Sequence, residues 1–345
     1  MKIAELVEIG KIGYRNVPTP HPGPGEVVVK TDAVGLCGTD VKAYFNGHPY
    51  FSPPCVLGHE FAGTIVEVGE GVERFEVGEA IVAAPYVECG ECDLCRQDLG
   101  ELCEKKVFIT GALKEYILLP RGIVDQATFR LGGGVDFAVG SLAEPLACVH
   151  NGVEKGAVEE GDRVLVIGGG PMGVMLALLA ETKGAKVLLS EISAPRIEAA
   201  RQLGLTVVSP EEEDLTERMK SEWGKGEADR VLIAVGNRAL VEAGFGLAAA
   251  GGRVLLFGGL PKGEEICIDA FAVHYREVSL VGSFGYNLRQ FEAAVTWLKG
   301  YAQTVKRIIT HTVPFSELER GFELAKEAKG LKIMIDFSEE GGHDA

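Results

Sequence analysis

The run GGGPMG, from Gly168 to Gly173, constrains the fold of this chain more than any other stretch. It lies between the apolar segment RVLVIG and the apolar stretch PMGVMLALLAETKG, and a second β-branched segment, KVLLSEI, follows. Strand, glycine turn, helix and strand in that order spell a βαβ unit, whose strands are parallel because a helix makes the crossover. The alternation continues through IEAARQLG, ADRVLIAVG, LVEAGFGLAAAG, GRVLLFGG and VSLVGSF, which predicts a doubly wound parallel sheet. Within the turn, Gly168, Gly170 and Gly173 satisfy GxGxxG, and Glu191 closes the next strand eighteen residues after Gly173. In that setting glycines let the backbone approach a pyrophosphate, the helix N-terminus faces its charge, and a carboxylate accepts from the adenosine ribose hydroxyls. The plainer alternative is a glycine turn in an α/β protein that holds no ligand.

Pro171 and Met172 complete the expected dinucleotide turn, and Phe257 and Ser283, in GRVLLFGG and VSLVGSF, are further candidate cofactor contacts. A carboxylate at Glu191 repels a 2′-phosphate, so NAD is expected in preference to NADP. Arg196, five residues on, either packs on the adenine and weakens that preference or is a solvated helix residue. His274, Tyr275 and Arg276 offer polar groups to cofactor or substrate, or simply begin a strand.

Composition narrows the classes. At 345 residues the chain exceeds a single core, so two domains are expected. Its 50 acidic against 34 basic residues leave a net charge of −16, which disfavours nucleic acid and anionic lipid as partners. The start carries no basic segment followed by an apolar one, and the apolar runs fall short of the ~20 residues of a membrane span. A cytoplasmic protein is expected, and in that reducing setting the eight cysteines are not read as four disulfides.

Their spacing offers another explanation. Cys89, Cys92, Cys95 and Cys103 fall within CGECDLCRQDLGELC, so one polar lobe can wrap a tetrahedral ion in four thiolates. That is the pattern of a closed structural zinc; the rival is an iron–sulfur cluster. A dispersed set comprises Cys37 in GLCGTD, His59 and Glu60 in VLGHEFAGTIVEVG, and Glu144 in LAEPLACVH. Singly, each has a bland reading: a core thiol, a hydrogen-bonded interior histidine, a helix N-terminal acid before Pro145. Together they supply the thiolate, imidazole and carboxylate of a catalytic zinc with an exchangeable position. Cys55, Cys148 and Cys267 are left as small core residues.

The chain up to about residue 145 carries short β-branched runs (GEVVVKTDAVGL, FAGTIVEVG, EAIVAAP, KEYILLP) between Gly and Pro turns, which predicts an antiparallel, partly barrel-like β region. After about Tyr286 come two amphipathic stretches, NLRQFEAAVTWLKG and SELERGFELAKEA, and a last strand, LKIMIDF.

These motifs, in this order and covering nearly the whole chain, resemble the medium-chain, zinc-dependent alcohol dehydrogenases, and within them the sorbitol (polyol) and L-threonine dehydrogenase branch. The resemblance implies a GroES-like catalytic domain built from residues 1–145 and 287–345, with a Rossmann cofactor domain, 146–286, inserted between them. It implies two zinc ions per chain, a homodimer or homotetramer, and hydride transfer between a secondary alcohol and NAD. By position, Cys37 and His59 become catalytic-zinc ligands, with Glu60 a ligand or a carboxylate that exchanges behind the metal; Glu144 replaces a cysteine found in many relatives, and Asp40 stands behind the zinc-bound histidine. Thr39 is the expected start of a proton relay. The histidine usual five residues after the first zinc cysteine is Lys42 here, which leaves His48 as the nearest candidate in sequence. The implied substrate is a polyol oxidised to a ketose, with L-threonine or a simple secondary alcohol or diol as alternatives. From another class, a non-catalytic zinc-stabilised NAD-binding module would carry one zinc rather than two.

Overall fold

The β-branched runs near the start of the chain are strands in the computed structural model, which describes residues 1–49, 51–109, 111–132 and 134–338. They are β1 (Val27–Gly35), β2 (Glu60–Val68), β3 (Ala80–Ala83), β4 (Tyr116–Leu119) and β5 (Thr128–Arg130). Helix α1 (Gly38–Asn46) separates β1 from β2, and α2 (Ala143–Lys155) follows β5. Next come β6 (Arg163–Ile167), α3 (Pro171–Thr182), β7 (Lys186–Ser190), α4 (Ala194–Gln202), β8 (Val207–Val208) and β9 (Ala228–Ile233). After them stand α5 (Arg238–Leu247), β10 (Ala248–Leu256), α6 (Ala270–Tyr275) and β11 (Ser279–Gly282). The chain closes with α7 (Leu288–Lys306), β12 (Ile309–Pro314), α8 (Leu318–Lys326) and β13 (Lys332–Asp336).

Two compact units result: Met1–Ala147 with the chain from Tyr286 onward, and Cys148–Gly285. In the first, the sheet runs β12-β13-β1-β2-β3-β5, with β4 also paired to β1. Its pairs are antiparallel except β12 with β13. The last strand thus lies on the first of these: Met334 faces Gly35, which in turn faces Glu60 on β2. That register carries Lys332 from the far end of the chain to Glu60, and Gly35 leaves room for it, since a Cβ there would stand 2.9 Å from Lys332 Cε.

In the second unit the order is β8-β7-β6-β9-β10-β11 and every pair is parallel. Strand β6 is central, and Val164, Leu165 and Val166 are fully buried, which is why RVLVI reads as a continuous apolar run rather than an alternating one. Helix α3 starts with Pro171 at its first position and is buried from Gly173 to Ala180, so it is a core helix apolar on all sides.

Three expectations need correction. The helix through LVEAGFGLAAAG stops at Leu247, because Ala248 pairs with Ala228 and begins β10. VSLVGSF is the half-buried edge strand of the sheet rather than a buried one. Cys267 is exposed, in the loop before α6, where its N–H donates to Glu242 Oε1 at 2.7 Å; no strand or helix covers it as a core thiol would require.

Candidate active site

The loop that leaves β1 is tied by one acid. Cys37 stands just before α1 with extended backbone (φ −90°, ψ 153°), and Asp40, in the first turn, reaches back to accept its N–H at 3.1 Å. The other oxygen of Asp40 accepts the Gly58 N–H at 3.0 Å, and Gly58 adopts the left-handed φ of +85°. This pins the segment before His59, whose Nδ1 lies 3.7 Å from Asp40 Oδ1. The next residue, Glu60, opens β2. Cys37, His59 and Glu60 therefore present ligand atoms within 4.8 Å of one another. Burial acts to raise the Asp40 acid, but His59 and the two N–H donors outweigh it and hold the carboxyl below its ordinary value. Burial likewise opposes protonation of His59, yet Asp40 and the Cys37 thiolate lift it well above 6.5.

Two further side chains reach this cluster. Lys332 and Glu60 form an ion pair, with Nζ 2.6 Å from Oε1 and side chains only 3% and 1% exposed. Glu144, in the first turn of α2, is 7% exposed. Burial pushes its acid up to about 7, while His59 acts against this, Glu60 adds to it, and Lys332 and the Tyr286 phenol oppose it. Glu144 lies outside the 4.8 Å group but within its field. Glu60, Cys37 and Glu144 all act on the buried Lys332, and thiolate, imidazole and carboxylate are the donors zinc takes. Thr39, half-buried, sits two residues past Cys37 on α1. His48 lies beyond the end of α1, bridged to Phe51 by backbone and ring, and is not among the ligand group. Lys42 is exposed.

Cys89, Cys92, Cys95 and Cys103 also converge within 4.8 Å. Their sulfurs are 3.4 Å apart for Cys92 and Cys95, and 3.9 Å apart for Cys89 with Cys95 and for Cys92 with Cys103. A zinc–sulfur bond of about 2.3 Å places tetrahedral sulfurs about 3.8 Å from one another, so the quartet fits an ion and not a pair of disulfides. Backbone N–H groups of Cys89 and Lys105 point at the Cys103 sulfur (3.5 and 3.3 Å), as donors do around metal-bound thiolates. The N–H groups of Glu91 and Cys92 draw the Cys89 thiol down to about 6, whereas burial and then the Cys92 thiol push Cys95 up to about 12.

The glycine turn has the shape a pyrophosphate needs. Gly168 adopts a φ of +102°, and any Cβ on Gly173 would collide with the Gly168 carbonyl. Glu191 bends back into the turn: Oε2 accepts the Gly169 N–H at 2.6 Å, and Oε1 accepts those of Ile192 and Ser193 at 2.7 and 2.8 Å. Arg196, on α4, places its guanidinium over Gly170, 3.6 Å from where a Cβ would stand. Gly170 caps α3, with Pro171 and Met172 in its first turn. Phe257 follows β10 and packs its ring on Gly152. The Ser283 hydroxyl, just past β11, is buried without a hydrogen-bond partner among the described residues, an acceptor and donor left over for a ligand. Arg276 is committed elsewhere, to Glu227 at 2.8 Å and the Ala248 carbonyl at 2.7 Å, so it ties α6 to the sheet rather than reaching a cofactor.

Sequence patterns missed Lys332 and Tyr286. The one signal for the first is a lysine breaking the apolar strand LKIMIDF; nothing in the second's neighbourhood marks it.

Comparison with known proteins agrees with this geometry. Residues 23–127 match the alcohol dehydrogenase GroES-like domain and residues 171–300 match the zinc-binding dehydrogenase family. The chain is 34% identical over 327 residues to L-threonine 3-dehydrogenase of Caldanaerobacter subterraneus subsp. tengcongensis, covering 92% of each protein. It is 29% identical over 334 residues to sorbitol dehydrogenase of Halalkalibacterium halodurans, covering 94% of this chain and 96% of that one. Among solved structures, a zinc-binding dehydrogenase from Sinorhizobium meliloti 1021 bound to NADP superposes with a TM-score of 0.85 at 31% identity, over 97% of this chain and 99% of that chain. The chain belongs to the medium-chain, zinc-dependent alcohol dehydrogenase family, oxidoreductases that act on CH–OH donors.

Proposed function

We propose that the protein oxidises a secondary hydroxyl of a polyol or sugar alcohol to the ketone, giving a ketose, with NAD as hydride acceptor and two zinc ions per chain. The observation that carries this is Glu144, a buried carboxylate beside Cys37, His59 and Glu60 where many relatives place a thiolate. In the catalytic site, zinc would be held by Cys37, His59 and a carboxylate from Glu60 or Glu144; in the lobe, by the four cysteines. When bound, the catalytic zinc supplies Lewis acidity towards the alcohol and the nicotinamide supplies the hydride acceptor. The chain does the rest. Asp40, 3.7 Å from His59 Nδ1, is the carboxylate that would orient the imidazole. Lys332 restrains Glu60. The Thr39 hydroxyl would pass the alcohol's proton onward, with His48 a second candidate.

NAD preference rests on Glu191, a carboxylate just past β7 at the glycine turn, which would repel a 2′-phosphate. The opposite preference has one observation in its favour, the Arg196 guanidinium over Gly170. The ratio of kcat/KM with NAD and NADP decides between them, and a preference for NADP removes the role given to Glu191. L-threonine is the second substrate reading, supported by the 34% identity to a threonine dehydrogenase. A panel of sorbitol, other polyols, L-threonine and 2,3-butanediol, followed by NADH absorbance, tests it. Turnover of threonine alone would overturn the polyol assignment. A non-catalytic module would bind one zinc and turn over nothing in the panel. No helix among the described residues is long and apolar enough to cross a membrane. We place the enzyme in the cytoplasm, as a homodimer or homotetramer.

A further inference from the structure

In the part of α2 that belongs to the second unit, Val149 and Val153 are wholly buried, and so is Asn151 between them. Packing among apolar neighbours asks for no amide at that position. A turn 133 residues later uses it: Asn151 Nδ2 donates to the Phe284 carbonyl at 3.3 Å and to the Gly285 carbonyl at 3.0 Å. Strand β11 is the edge of its sheet, and the last rung onto β10 runs from the Ser283 N–H to the Leu256 carbonyl at 3.1 Å. The two carbonyls that follow lie beyond the ladder, and Gly285 turns the chain through a left-handed φ of +57°. Asn151 thus continues by side chain what the sheet no longer does. A buried amide parted from its acceptors is costly, so the turn stays on the helix. Gly152, the next residue, seats the neighbouring loop, since a Cβ there would stand 2.8 Å from the Phe257 ring. The Phe257 and Gly258 N–H groups share the Ile233 carbonyl at 3.1 and 2.9 Å.

These two loops leave the carboxyl ends of β10 and β11, where an open parallel sheet holds its ligands, and a dinucleotide spreads one nucleotide over each half of such a sheet. Glu191 follows β7, so the adenosine assigned to it takes that half and β9-β10-β11 is left for the nicotinamide. There the buried Ser283 hydroxyl has no hydrogen-bond partner among the described residues. We propose, on the reading of the glycine turn as a nicotinamide-dinucleotide site, that Asn151 is a positioning residue for the nicotinamide half: its amide fixes residues 283–285 on α2 and so holds the Ser283 hydroxyl ready for the cofactor.

The test compares NADH with ADP-ribose, which carries the adenosine and pyrophosphate but no nicotinamide, on the zinc-loaded full chain by calorimetry. Asn151→Ala should raise the NADH dissociation constant about tenfold, the worth of one hydrogen bond, and leave that of ADP-ribose within about twofold. Ser283→Ala, which leaves the core untouched, should weaken NADH by a similar factor, and the double variant should be little worse than either, because Asn151 acts through Ser283. Hydrogen exchange at the amides of residues 283–285 should speed up in Asn151→Ala and not in Ser283→Ala. Equal losses of NADH and ADP-ribose in Asn151→Ala overturn the proposal, as do additive losses in the double variant. An unchanged NADH dissociation constant in Ser283→Ala overturns it by itself, whatever becomes of the fold in Asn151→Ala. Wild-type protein that binds neither compound instead removes the dinucleotide reading.

Discussion

Lys332 Nζ lies 2.6 Å from Glu60 Oε1, in a pocket that leaves the two side chains 3% and 1% exposed, although 272 residues separate them. Burial acts to strip the lysine of its proton, but Glu60, then Cys37 and Glu144, hold the ammonium above its ordinary value. Removing one partner strands the other charge in the core. Lys332→Met should lose about 3–5 kcal/mol of stability in chelator-treated protein, and less in zinc-loaded protein, where the metal answers Glu60. Urea unfolding with and without chelator measures both. A loss below about 1 kcal/mol in the chelated protein would show that Glu60 is not left unpaired.

Metal counting separates the two sites. His59→Ala removes the imidazole that Asp40 orients and should leave one zinc per chain, a native far-ultraviolet spectrum and no turnover. Cys92→Ser should lower the count through the other site and reduce thermal stability as well. Elemental analysis per chain gives the numbers; two zinc ions retained in His59→Ala would sink the assignment of His59 as a ligand.

Two glycine substitutions make opposite predictions. Gly173→Ala drives a Cβ into the Gly168 carbonyl and should cost cofactor affinity and stability together. Gly246→Ala, at an exposed position of α5 with nothing within 4 Å, should gain roughly 0.5–1 kcal/mol from helix propensity and leave cofactor affinity alone. NADH fluorescence titration and thermal melts check the pair, and equal effects at both positions would falsify the phosphate-turn argument.

Arg163 and Asp229 clamp β6 to β9 through a fork, Nη2 to Oδ1 at 2.5 Å and Nε to Oδ2 at 2.9 Å. The hydrogen bond from Arg163, working against burial, holds the Asp229 acid below 3.8. A depressed carboxyl stabilises the fold above its unfolded value and stops doing so as pH falls through the folded one. Asp229→Asn should therefore melt lower than wild type at pH 7, with the gap closing below about pH 4. A gap that persists at low pH means the clamp acts through packing alone.

The cofactor half was legible because its signals are local. A buried parallel strand is apolar on both faces, a pyrophosphate turn needs glycine at fixed offsets, and the four cysteines of the lobe lie within fifteen residues. Each pattern is complete within one window of sequence, and its physics admits few substitutes. The catalytic cluster was legible only in part. Cys37, His59 and Glu60 are short-range neighbours around one strand pairing, but Lys332 reaches Glu60 because β13 lies antiparallel on β1 and Gly35 has no side chain to block it. Tyr286 belongs to the same unit as Glu144 because the chain re-enters that unit there. Periodicity and spacing along the chain are enough for the parallel sheet, the glycine turn and the inventory of metal-binding side chains. Which buried charges come together is set by the folded chain, because strand register and the absence of a single Cβ are invisible until distant segments pair.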